Sequence, residues 1–223
     1  MNNKLATLLE RADIWQSSAP QQPRHSVATS YSQLDSALHQ GGWPTRAITE
    51  LLCDQPGSGE LQLLMPAIKK LCRPGRQLIF ISPPQQPYAP ALQQAGIAPE
   101  QVLVIQPRSS ADQFWAVEQV LRTDLAGAML VWPQQTPDLA QLRKLQLAAQ
   151  STQGLSLLMR PCSAALESSP AALRVQLEPT LTGCQLTIIK QRGGWAGQVI
   201  QLSLSATPEQ ADIPASDLPV HIP

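Results

Sequence analysis

The chain has 223 residues with 16 basic and 16 acidic side chains, a formal net charge of +0, and only 14% of its residues are charged. That balance excludes whole-molecule attraction to nucleic acid or to an anionic membrane surface, while 43% hydrophobic residues supply the core of one doubly wound α/β domain. The four cysteines (Cys53, Cys72, Cys162, Cys184) form no C-x-x-C pair and the three histidines lie apart from them, which argues against a metal site or a disulfide framework and for a reducing, cytoplasmic setting.

Leu5, Leu8, Leu9, Ala12 and Trp15 recur at helical spacing, with Lys4, Glu10, Arg11 and Asp13 opposite, which predicts an amphipathic helix. That helix either docks on its own domain or offers Leu5, Leu8, Leu9 and Trp15 to a partner. Its charges are wrong for a signal peptide, and no apolar run approaches the length needed to span a bilayer. Residues 16–24 are rich in Ser, Gln and Pro and read as a linker, so 1–24 is expected to be a tethered helix.

Residues 25–205 read as the folded domain. A short extended piece and a helix cover 27–38, and Gly41-Gly42-Trp43-Pro44 breaks the helix. Residues 48–53 predict the first central strand. A helix follows to about Arg73 with Leu61, Leu64, Met65, Ile68 and Leu71 inward and Pro66 inside it. Lys69, Lys70, Arg73 and Arg76 gather at its end, as a helix C-terminus favours. Near-continuous apolar runs at 77–82, 102–106, 126–132 and 155–159 alternate with amphipathic helices near 88–95, 111–124 and 139–150. Strands of that kind, separated by helices, predict a mostly parallel sheet flanked by helices. Residues 173–178, 185–188 and 198–204 alternate apolar with polar and predict antiparallel strands at the C-terminal edge, with a turn at 193–197. Residues 206–223 hold four Pro, three acids and no Lys or Arg, and read as a disordered acidic tail.

The first central strand runs into Asp54-Gln55-Pro56-Gly57-Ser58-Gly59-Glu60-Leu61 and then a helix, the setting of a phosphate-binding loop. Such a loop needs glycines so that backbone N–H groups close around phosphates, a Lys for the terminal phosphates and a Ser/Thr hydroxyl for Mg²⁺. Here Asp54 stands in the place of the first Gly, Glu60 in that of the Lys and Leu61 in that of the hydroxyl. Gly57, Ser58 and Gly59 keep the spacing without the chemistry. The expectation is a loop that retains its structural role and binds no nucleotide.

Residues 48–61, 78–96 and 102–132 resemble the strand, loop and helix segments of the RecA recombinase core. Leu9-Glu10-Arg11-Ala12-Asp13-Ile14-Trp15, Gly41-Gly42-Trp43-Pro44, Thr49-Glu50-Leu51-Leu52, Pro87-Tyr88-Ala89-Pro90-Ala91-Leu92, residues 142–149 and Ser169-Pro170-Ala171-Ala172-Leu173-Arg174 resemble the ImuA family within it. The resemblance implies a RecA-like core at 25–205 and a non-catalytic accessory role in SOS-induced translesion DNA synthesis. It implies ImuB, RecA and an error-prone C-family polymerase as partners. Pro83 and Pro84 stand where the recombinase has its catalytic Glu, and Trp132 where it has a metal-binding Asp, leaving the base and metal positions vacant at Pro84 and Trp132. The expected product is a pseudo-ATPase with no cofactor, no metal and no catalytic residue. Lys190 and Arg192 are candidate DNA contacts.

Residues 61–71, Val120-Leu121-Arg122-Thr123 and Met159-Arg160-Pro161 also resemble SulA, a cell-division inhibitor that blocks FtsZ polymerisation. That is the alternative reading. A working NTPase is a third, against which the degenerate loop argues.

Overall fold

The computed structural model describes residues 25–204. The expected N-terminal helix carrying Leu5, Leu8, Leu9 and Trp15, and the expected tail, lie outside the described residues. In chain order the elements are β1 (Ser26–Val27), α1 (Ser32–Ala37), β2 (Trp43–Pro44), β3 (Ile48–Leu52), α2 (Glu60–Leu71), β4 (Gln77–Ile81), α3 (Ala89–Gln94), β5 (Val102–Ile105) and α4 (Ser110–Thr123). There follow β6 (Ala126–Val131), α5 (Leu139–Ala149), β7 (Leu155–Arg160), β8 (Leu173–Thr180), β9 (Gly183–Gln191) and β10 (Val199–Ser203).

One eight-stranded sheet has the order β10-β9-β8-β3-β7-β6-β4-β5, and β1 pairs with β2 in a separate ribbon. From β5 to β8 every pairing is parallel, and β9 and β10 are antiparallel to their neighbours. The apolar runs in β4, β6 and β7 are the strands buried on both faces. One face packs Leu51, Phe80, Leu130, Leu157 and Val175 against Leu63, Leu64 and Ile68 of α2, with Leu34 of α1 and Leu92 of α3 in the same cluster. The other packs Ile79, Met129, Val131 and Leu158 against Val117 and Leu121 of α4 and Leu142 and Leu145 of α5. Asp138 caps α5 through a reciprocal box, its Oδ1 accepting from the Gln141 amide at 2.7 Å and Gln141 Oε1 accepting from the Asp138 amide at 2.9 Å.

Two expectations are corrected. Residues 173–178 are not an antiparallel addition to an edge: β8 runs parallel to β3, pairing Glu50 with Arg174. Its alternation has another cause. The polar side of β8 near Arg174 faces a buried carboxylate rather than solvent. The inward face of α2 is also rotated. Leu63, Leu64, Ala67 and Ile68 are buried, while Leu61, Met65 and Leu71 are half-buried at its flanks. Glu60 turns inward at the first turn and takes the place an apolar residue would fill.

Candidate functional site

In a parallel sheet the loops at the carboxyl ends of the strands gather at one rim, where doubly wound proteins bind their ligands. Here that rim holds the loop after β3. Gly57 and Gly59 have φ of +86° and +95°, which only glycine adopts cheaply, so the loop keeps its turns. The interior of the loop is taken by the protein itself. The Gly57 amide donates to Glu60 Oε1 at 2.8 Å, and the Ser58 hydroxyl donates to the Gln55 carbonyl at 2.6 Å. Glu60 is 4% exposed and sits at the first position of α2, where the helix dipole favours a negative charge. An amide that would face a phosphate thus faces a carboxylate. The other side of the loop is sealed from afar. Leu204, just past β10, packs so closely on Gly59 that a Cβ there would come within 2.8 Å of Leu204 Cδ1. The Gln62 side-chain amide donates to the Leu204 carbonyl.

Asp54, in the place of the first loop Gly, is exposed, and its Oδ1 accepts from the Cys162 amide at 2.8 Å, tying the loop to the chain after β7. Burial first, then the negative charges of Glu60 and Asp54 and the neighbouring Cys162, push the Cys53 thiol up to about 11. Cys53 is therefore a protonated packing residue. Leu61 is half-buried on the core rather than turned to the loop interior. Trp132 is half-buried, its ring stacked on Phe80 with centroids 6.2 Å apart, and its carbonyl accepts from the Gln113 side chain at 2.8 Å. Pro84 is exposed at the rim and Pro83 buried beneath it. Lys190 and Arg192 lie at the opposite end of the sheet, at the end of β9. Lys190 Nζ is engaged, donating to the Ser169 carbonyl at 2.6 Å.

The largest charged feature escaped the sequence reading. Glu50, fully buried in β3, accepts from Arg174 Nε at 2.7 Å and from the Ser169 hydroxyl at 2.6 Å, with Arg160 Nη1 at 3.4 Å. Arg160 reaches on to Glu167 at 2.6 Å, and Arg174 donates to the carbonyls of Glu167 and Ala164. The signal was present: a Glu inside an apolar central strand must have a buried partner.

The fold and its rim define a class: a mixed α/β protein whose phosphate-type loop is closed by its own carboxylate. No helix among the described residues is long and apolar enough to cross a membrane. A family model described as "Cell division inhibitor SulA" matches residues 47–156. The chain is 30% identical over 140 residues to the cell division inhibitor SulA of Serratia proteamaculans, covering 61% of this chain and 82% of that one. It is 28% identical over 116 residues to the SulA of Serratia marcescens, covering 51% and 67%. The chain belongs to the SulA family.

These matches overturn the expectation of a translesion-synthesis accessory acting with ImuB, RecA and an error-prone polymerase. That expectation leaned on segments outside the middle of the chain, and the structure gives those among the described residues internal work. Trp43 is fully buried in the main core. The late strands β9 and β10 complete the sheet, and Leu204 closes the loop. Parts with such duties in the fold say nothing about a polymerase complex.

Proposed function

We propose that this chain is an SOS-induced inhibitor of cell division that binds FtsZ and blocks its polymerisation, without nucleotide turnover. The observation that carries the proposal is the match along 82% of a SulA chain, with the family model running over residues 47–156, from β3 and its loop into β7 rather than over one motif. The sheet order and the strand–loop–helix unit support descent from a RecA-type core. The self-closed loop supports the loss of ATPase chemistry, since phosphoryl transfer needs a phosphate clamp, a base and a metal ligand. Glu60, Pro84 and Trp132 supply none of them. The rim suits a protein ligand better. Tyr88 is 72% exposed after β4 and Leu139 is 38% exposed after β6, set among Pro83, Pro84, Pro133 and Pro137. Proline-held loops lose little conformational entropy on docking.

The test has two parts. Overproduction in the source bacterium should give long, undivided cells, and purified chain should reduce the FtsZ that pellets with GTP in a dose-dependent way. Cells of normal length together with unchanged pelleting would overturn the proposal.

A further inference from the structure

We propose that the end of the sheet opposite the loop carries a binding site for a small phosphate-bearing anion, formed by His25, His39, Gln40, Arg46 and Arg192. The site stands apart from the rim and does not depend on the division-inhibitor reading. A cavity of about 180 Å³ opens there, where the chain leading into β3 and β8 meets the end of β9. It is smaller than a typical drug-sized pocket of about 300–1,000 Å³, which limits its occupant to a phosphate or a small phosphate ester.

Three observations point to that chemistry. The first is charge. Arg46, Arg192, His25 and His39 line the cavity, and no Asp or Glu is among its lining residues. The two guanidinium groups carry the charge of the lining and the two imidazoles add ring nitrogens, so the cavity presents positive charge with no acid to offset it. The surroundings add to it. Lys190, beside Arg192, is held below its ordinary pKa by burial and then by the positive charges of Arg192 and Arg174.

The second is an orphan. Gln40 Oε1 is buried and has no hydrogen-bond donor. A buried acceptor left unmatched costs about 1–3 kcal/mol, and Gln40 lines the cavity, so a turn of its side chain toward the opening would let a protonated phosphate oxygen or an ester hydroxyl supply the missing proton.

The third is construction. Gln191 binds the wall together: its Oε1 accepts from the His39 amide at 2.8 Å and its Nε2 donates to the Ala37 and Trp195 carbonyls at 3.2 and 2.7 Å. The turn after β9 presses on the His39 ring, and a Cβ at Gly193, where φ is +80°, would come within 2.9 Å of His39 Nε2. Arg46 has φ of +57°, a conformation in which glycine or asparagine would be cheaper. That backbone turn holds Arg46 in the lining of the cavity.

The experiment titrates inorganic phosphate into the full chain, with potassium chloride at matched ionic strength as the control, and follows the imidazole NMR signals and the melting temperature. Phosphate should move the His25 and His39 signals saturably and raise the melting temperature, while chloride should do neither. Arg46→Glu and Arg192→Glu should each weaken binding by about tenfold or more, as loss of a charge-assisted contact requires, and Arg108→Glu, exposed in the loop after β5 at the opposite rim, should not. A parallel titration with ribose 5-phosphate identifies the occupant: tighter binding than phosphate points to an ester, equal binding to the free anion, and either supports the site. Equal responses to phosphate and chloride, or undiminished binding in both arginine variants, would overturn it. So would binding of a single-stranded oligonucleotide with no response to phosphate.

Discussion

Glu50 sits opposite Arg174 in neighbouring parallel strands and has no exposed surface, so its carboxylate relies on three hydrogen-bonding partners in the folded chain. Removing one partner strands a buried charge, and Arg174→Met should destabilise by about 3–5 kcal/mol in urea unfolding. Replacing Glu50, Arg160 and Arg174 together by Leu, Met and Met should recover most of that loss, because an apolar set of similar volume needs no pairing. Glu60 is a milder case. Its carboxylate accepts one amide, from Gly57, so Glu60→Gln should cost about 1–2 kcal/mol. Restoring Lys at 60 and Thr at 61 should yield no ATP hydrolysis above buffer, since Pro84 and Trp132 supply neither base nor metal ligand. Burial is the first cause that raises Cys53, Cys72 and Cys184 from 9.0 to about 11, so the folded state favours the neutral thiol. The stability this contributes is complete below pH 9 and lost as pH rises toward about 11, because the unfolded chain gives up those protons first. Melting temperature measured from pH 8 upward should decline across that window and recover partly in a Cys→Ala triple variant.

The elements with strong apolar runs were legible. β4, β6 and β7, and the inward faces of α4 and α5, stand where periodicity puts them, because burial on both faces leaves a continuous run and burial on one leaves a stripe. The glycine spacing of the loop was legible for the same kind of reason, since positive φ limits the choice of residue. The partners were not. Alternation in β8 says that its two faces differ. It does not say whether the polar face meets water or Glu50, a contact set by chains far apart in sequence. Leu204 is the clearest example: the alternation over 198–204 marks it as an inward residue, and nothing in it marks Leu204 as the cover of the loop after β3. Leu204→Ala should cost about 2–5 kcal/mol, as deletion of a buried Leu does, and should speed amide exchange at 57–60 more than in β4.

At the scale of the molecule residues 25–204 supply a core cluster to each face of the sheet. A fragment of residues 25–204 should therefore unfold in one cooperative transition with a melting temperature close to that of the whole chain. If it also lengthens cells on overproduction, inhibition belongs to the core. If it folds but does not, residues 1–24 or 205–223 carry the contact. The seal on the loop has a further consequence, in time rather than in space. The loop is translated early and its lid, Leu204, late, with the whole sheet between them. While the ribosome still holds the last strand, Gly59 and Glu60 stay wet and open to proteases. Nascent chains stalled before residue 199 should be cut at the loop, and released chains should not.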